Sequence, residues 1–144
     1  MLASFKHAWN RRSLKDDAYA WLFEPYYGDE VVVFDTETTG LDTKKDEVLS
    51  IGAVKVKGDR ILTSESFEIF LKPSREISAE SIKIHHIRPC DLEDAVEPLE
   101  GIRRFLNFIG NRPLVGYYLE FDMAMINRSI KPWLGINQIG RAHV

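Results

Sequence analysis

Val31-Val32-Val33-Phe34 is a short apolar run of β-branched and aromatic side chains that ends directly on Asp35-Thr36-Glu37. Such a run reads as a strand buried on both faces. Its two acids stand at i and i+2, so both project from the same side of the strand. Carboxylates held this way repel, and one takes up a proton unless a cation shares the site. A hard divalent ion such as Mg²⁺ suits carboxylate and water oxygens. Thr38, Thr39 and Gly40 follow at once, with Leu41 after them. Their main-chain N–H groups and small side chains are placed to hold a terminal sugar or phosphate beside such an ion. The plainer alternative for an Asp-x-Glu at a strand end is a solvated turn.

Further strands and helices follow from pattern. Residues 47–57 (EVLSIGAVKVK) and 60–71 (RILTSESFEIFL) flank Gly58-Asp59 and read as a hairpin, with Pro73 closing the second strand. Ser78 to Ile84 reads as a short helix with Ser78 as N-cap. Val96 to Ile109 reads as an amphipathic helix with Leu99, Ile102, Phe105, Leu106 and Ile109 on one face, stopped by Gly110. Pro113 to Gly116 reads as a short buried strand. Phe121 to Ser129 reads as a helix with Phe121, Ala124, Met125 and Ile130 inward. Three strands, then helix, strand and helix, predict an α/β sandwich around a mixed sheet.

Residues 1–29 differ in character. Phe5, Ala8, Trp9, Leu14, Ala18, Trp21 and Leu22 recur at helical spacing, and four basic residues precede the first acid, Asp16. One or two amphipathic helices ending near Pro25 are expected. Tyr19, Trp21, Phe23, Tyr26 and Tyr27 serve either to dock this extension on the domain or to face a partner.

Composition narrows the classes. At 144 residues, 44% hydrophobic and 28% charged, the chain is an ordinary single-domain length with enough apolar residues for a core. A net charge of −3 excludes a strongly basic nucleic-acid coat, though not a local basic patch. The single cysteine, Cys90, excludes an internal disulfide, and no Cys/His set has zinc spacing. No apolar run is long enough to span a membrane and no signal-peptide core is present, so a cytoplasmic domain is expected.

A second acidic element is Val115-Gly116-Tyr117-Tyr118-Leu119-Glu120-Phe121-Asp122, a strand end, a loop and an acid at a helix start. Alone, Asp122 or Glu120 reads as an acid stabilising a helix N-terminus. Together, Phe34-Asp-Thr-Glu-Thr-Thr-Gly-Leu41 and Phe121-Asp122 resemble the first two motifs of the DEDD 3′–5′ exonucleases. The resemblance is greatest to the branch of the epsilon proofreading subunit of bacterial DNA polymerase III. Ile77 to His85 resembles the helix and histidine lying between those motifs. The likeness runs from about residue 30 to 136.

The resemblance implies a ribonuclease H-like fold with a mixed central sheet flanked by helices. It implies 3′–5′ hydrolysis at single-stranded or frayed DNA ends, with two Mg²⁺ or Mn²⁺ ions. Asp35 and Glu37 would be catalytic metal ligands, with Asp122 completing the acidic pocket through metal-bound water. Thr38, Thr39, Gly40 and Leu41 would hold the terminal nucleotide. His85 would border the substrate groove, or else simply pack its short helix, while His86 would face solvent. Phe121 and Tyr118 would line the groove. Tyr117-Tyr118 replaces the His-Asn common in the epsilon branch and places a tyrosine to stack on a base. Expected partners are nucleic acid 3′ ends and a polymerase or other protein through residues 1–29. An RNA exonuclease of the same superfamily, or a non-catalytic nucleic-acid or polymerase-binding module, are the alternatives.

The family's third motif, a histidine followed by a fourth aspartate, lies well beyond the second. After Asp122 this sequence has only His143 and no acid. The domain at 30–138 is therefore read as incomplete at its C-terminal side. Ile139-Gly-Arg-Ala-His-Val144 shows no helix or strand pattern and matches the translation of a common sequencing-library adapter. Residues 139–144 are expected to be non-native, the alternative being a genuine short terminus. A contiguous genomic read across codon 138 decides between them.

Overall fold

The computed structural model describes residues 2–139 and 142–143, with side chains from Lys6 to Ile139. Helix α1 (Leu2–Arg12) and a 3₁₀ turn (Asp17–Phe23) precede β1 (Glu30–Thr38), β2 (Val48–Lys57) and β3 (Arg60–Phe70). Then come α2 (Ala79–His85), a 3₁₀ turn (Pro89–Leu92), α3 (Pro98–Ile109), β4 (Leu114–Val115), α4 (Leu119–Leu134) and β5 (Ala142–His143). The sheet runs β3-β2-β1-β4-β5. β1 pairs antiparallel with β2 and parallel with β4, so the sheet is mixed, as the sequence led one to expect.

The core lies on one face of β1. Val32, Phe34 and Thr36 are buried there, against Phe105 of α3 and Met125, Ile126 and Ile130 of α4. Val33 is 36% exposed and Asp35 is exposed on the other side. The expectation of burial on both faces is thus corrected: α3 and α4 cover the same face, and among the described residues no helix covers the other. A smaller cluster, Leu49, Ile87, Leu92 and Ala95, fastens the segment around α2 to the start of β2.

Local chemistry explains the elements. Gly58, at φ +60, opens a two-residue turn between the paired Lys57 and Arg60, as a right-twisted hairpin requires. The Ser78 hydroxyl accepts the Ser81 N–H at 3.1 Å and starts α2. α3 begins at Pro98 rather than Val96, because proline suits the first helical position and Val96 instead bridges to Leu71. Leu99 is 43% exposed, not inward. Gly101 lies so close to Leu71 that a Cβ would come within 1.9 Å of its side chain, so α3 approaches the sheet closely at this point.

α4 is longer than expected. Leu119, Asp122, Met123, Met125, Ile126, Ile130 and Leu134 face inward, while Phe121 and Ala124 are only half-buried. Pro132 is tolerated in its last turn, and Gly135, at φ +75, ends the helix by donating to Lys131 O at 2.8 Å.

The segment before β1 is attached by its second half. Leu22 is buried, and Leu14, Tyr19, Trp21 and Phe23 pack beside it. The Lys15 N–H donates to Leu134 O at 2.8 Å, closing the C-terminal end of α4. α1 is not held by an apolar face: Ala8 and Trp9 are exposed, and the Phe5 side chain is outside the described residues. Buried Asn10 holds it instead, donating from Nδ2 to Gln138 O at 2.9 Å and accepting the Asn137 N–H at 2.6 Å.

Residues 139–144 show no strand pattern in the sequence, yet part of this segment joins the sheet. Ile139 is 1% exposed in the core, and Ala142–His143 pairs parallel with Leu114–Val115. Such pairing uses main chain only, so it needs no strand pattern in the side chains. Gly140, Arg141 and Val144 of the expected tail lie outside the described residues. No described helix is long and apolar enough to cross a membrane.

Candidate active site

β4 pairs with β1 only at Val32 and Val33, so β1 continues to Thr38 with that edge open. The chain leaves β4 through Gly116, where a Cβ would sit 2.9 Å from Phe34 O. Only glycine allows this close passage. Tyr117 and Tyr118 turn the chain into α4, whose first turn carries Asp122 to the open end of β1. There Asp122, 3% exposed, accepts a short hydrogen bond from the Thr36 hydroxyl. Thr36 was not singled out from sequence, although its place between the two acids puts it on the opposite face, toward α4.

Asp35 and Glu37 share the other side of β1, as their spacing predicts; Glu37 is half-buried. Burial raises the Glu37 pKa, and Asp35 and Asp122 raise it further, while His86 opposes them. Burial likewise raises that of Asp122, the Thr36 hydroxyl opposes, and Asp35 adds to the rise. Asp35 thus disfavours the charged forms of both Glu37 and Asp122 at the end of one strand. Among the described residues no three acids, histidines or cysteines close around a single point. An all-oxygen set of this kind still fits Mg²⁺ or Mn²⁺, because such ions keep several waters and take one or two carboxylates plus substrate phosphate oxygens.

The loop after β1 is tightly built. The Thr38 hydroxyl donates to Gly40 O at 2.8 Å. The Thr39 N–H donates to Glu47 O at 2.9 Å, and its hydroxyl accepts the Glu47 N–H at 2.9 Å and donates to Asp46 Oδ1 at 3.1 Å. Asp46 Oδ2 also accepts the Asp42 N–H at 2.8 Å. From α2, the Ser81 hydroxyl donates to Thr39 O at 2.6 Å. Leu41 is left 85% exposed at the tip. Asp46, Ser81 and their contacts were not foreseen; Asp46 acts within its own turn, whereas Ser81 reaches Thr39 across 42 residues, which no local pattern marks. A Cβ on Gly40 would lie 2.5 Å from Asp46 Oδ2. Gly40→Ala is therefore expected to displace Asp46 and cost about 1–3 kcal/mol in thermal or urea unfolding. An unchanged midpoint would contradict this reading of the loop.

His85 is buried, its Nδ1 accepting the Ile87 N–H at 2.9 Å, and burial followed by the neighbouring His86 pushes its pKa down. Among the described residues its Nε2 has no partner. The structure thus places His85 inside its own segment. His86 is exposed as expected, but it stands in the left-handed region at φ +60 and acts electrostatically on Glu37. Tyr118 shares that conformation at φ +56. Tyr117 and Tyr118 are 92% and 75% exposed, and Phe121 is half-buried. Tyr117, Asp35, Val33 and Val54 line an open groove of about 570 Å³ over the uncovered sheet face.

The profile of the exonuclease family (RNase_T) matches residues 32–137. The chain belongs to the exonuclease family. The exonuclease region is 39% identical over 107 residues to the PolC-type DNA polymerase III of Bacillus subtilis (strain 168), covering 74% of this chain and 7% of that protein. It is 36% identical over 127 residues to the PolC-type polymerase of Thermotoga maritima, covering 88% and 9%. The chain thus spans less than a tenth of the length of these relatives. Its fold is that of exonuclease I from Methylocaldum szegediense (TM-score 0.63, 20% identity, 70% of this chain and 23% of that one). It is also that of the zinc-ion-bound form of E. coli exonuclease I with single-stranded DNA (TM-score 0.64, 15% identity, 72% and 24%). Exonucleases of this family generally use divalent metals.

Proposed function

We propose that this exonuclease domain hydrolyses phosphodiester bonds from the 3′ end of single-stranded or frayed DNA, with Mg²⁺ or Mn²⁺ held by Asp35, Glu37 and Asp122. The observation that carries the reading is the placement of Asp35, Glu37 and Asp122 at the open end of β1, where Asp122 is bonded to Thr36 between the other two acids. When bound, such ions activate a water and offset charge on the leaving oxygen. The residues of the chain do the rest. Asp35 and Glu37 offer oxygens from one side of a rigid strand, and Thr36 fixes Asp122 beside them. Thr38, Thr39 and Gly40 form the loop that receives the terminal nucleotide, held in shape by Glu47 and Ser81 at the Thr39 main chain, with exposed Leu41 against its base. Exposed Tyr117 and Tyr118 stack on the following base.

Kinship with PolC-type polymerases supports proofreading of DNA and a cytoplasmic setting. The partner is then the 3′ end of DNA, and exposed Trp9, with exposed Lys6, Arg11 and Arg12 on the same helix, and exposed Tyr27 are the groups offered to a polymerase or other protein through residues 1–29.

The test joins residues 1–138 to the third-motif segment of a related exonuclease. In Mn²⁺ the chimera is expected to shorten 5′-labelled single-stranded DNA from its 3′ end. Asp35→Asn should lower that rate at least about 10²–10³-fold, the scale of losing one major electrostatic stabiliser. A folded, Mn²⁺-binding chimera that leaves DNA and RNA intact would favour the non-catalytic module; selective RNA trimming would favour the RNA exonuclease.

A further inference from the structure

Arg128 lies on α4, six residues beyond Asp122, which places it about 9 Å further along the same helix. It is half-buried, and among the described residues no carboxylate is paired with it. Its planar fork is spent on two main-chain oxygens: Nη1 donates to Thr43 O at 2.6 Å, and Nη2 donates to Asp46 O. Both belong to the tight turn of residues 42–46, where the Asp46 N–H donates to Asp42 O at 2.9 Å. Asp46 in turn receives the Thr39 hydroxyl and stands against Gly40.

We infer that Arg128 is a positioning residue that fixes the nucleotide-holding loop to the helix bearing Asp122. The inference rests on the exonuclease reading above and adds to it. One rigid helix grips β1 at Thr36 through Asp122 and grips the loop at Thr43 and Asp46 through Arg128. It thereby sets the spacing between the acids and the Thr39-Gly40-Leu41 main chain. Two-pronged donation to carbonyls is a task that arginine's fixed fork performs and lysine's single ammonium does not. Ser81 supplies the second anchor, from α2, at Thr39 O.

The experiment measures binding of dTMP in the presence of Mn²⁺, and of Mn²⁺ alone, by calorimetry on the 144-residue chain. Hydrogen exchange of the loop amides is read in parallel. Arg128→Ala is expected to weaken dTMP at least tenfold, leave Mn²⁺ affinity within twofold, and speed exchange at Asp42 and Asp46. Arg128→Lys should fall between the two, and it decides the matter should the alanine variant not fold. A purely structural role would lower the melting temperature without separating the two ligands. Unchanged dTMP affinity in Arg128→Ala, or equal loss of dTMP and Mn²⁺, overturns the inference. Mn²⁺ binding without dTMP binding by the unaltered chain overturns it too. Absence of both ligands overturns the exonuclease reading itself.

Discussion

Asp122→Asn is expected to make the metal-free chain more stable, against the usual direction for a change at a buried hydrogen-bonded residue. Asp122 is 3% exposed, and its ionised form is disfavoured by burial and by Asp35, with Thr36 in opposition through its hydroxyl and its main chain. Asparagine has the same shape and still accepts that hydroxyl through its carbonyl oxygen. It removes the charge that also raises the pKa of Glu37. Each kcal/mol of repulsion relieved lifts the midpoint by about 4 °C in a domain of this size.

The pH dependence has a definite sign. Glu37 and Asp122 both have folded pKa values above their ordinary ones. Their contribution to stability is complete below the ordinary carboxylate range and is lost as pH rises through the raised values. Asp91 works in the opposite sense, held low by the Arg88 N–H, but it is exposed and adds little. The metal-free chain should therefore lose stability between mildly acidic and neutral pH, and Mn²⁺ should restore it most at neutral pH. Asp122→Asn should flatten the pH profile and shrink the Mn²⁺ effect. Thermal melts across pH with and without Mn²⁺ check this; a lower metal-free midpoint for Asp122→Asn, with the Mn²⁺ effect intact, would contradict it.

The second large effect concerns rate. After Asp122 the 144-residue polypeptide supplies no acid, and its one histidine there, His143, has no acid after it. Without a positioned base to take the proton from water, hydrolysis forfeits about 10²–10⁴-fold. The polypeptide as it stands is expected to release mononucleotides at least that much more slowly than the chimera carrying a third motif. Single-turnover assays with protein in excess over labelled DNA measure the ratio. Comparable Mn²⁺-dependent rates would show that the residues present here suffice, and the roles assigned to them would need revision.

The central strand and its acids were legible because the information is local. A β-branched run, two acids at i and i+2, and a glycine where Asp46 crowds in all lie within a few residues of one another. The hairpin and the cap of α2 were legible for the same reason. Burial of β1 on one face only was not, because it depends on where α3 and α4 pack. The exposed side of α1 was misread because helical spacing of Ala8 and Trp9 says nothing of what lies opposite, and a polar residue, Asn10, makes the attachment. Arg128 carried no signal at all, since its partners are main-chain oxygens more than 80 residues earlier, which no side-chain pattern can mark.

A divalent-ion site at the end of β1 is what the proposed hydrolysis requires above all. Mn²⁺ titration of the 144-residue chain, followed by the paramagnetic resonance signal of the free ion, tests it most directly. Saturable binding is predicted, weakened as pH falls and removed in the Asp35→Asn, Glu37→Gln double variant. No saturable binding at neutral pH, or binding that survives the loss of both acids, would contradict it.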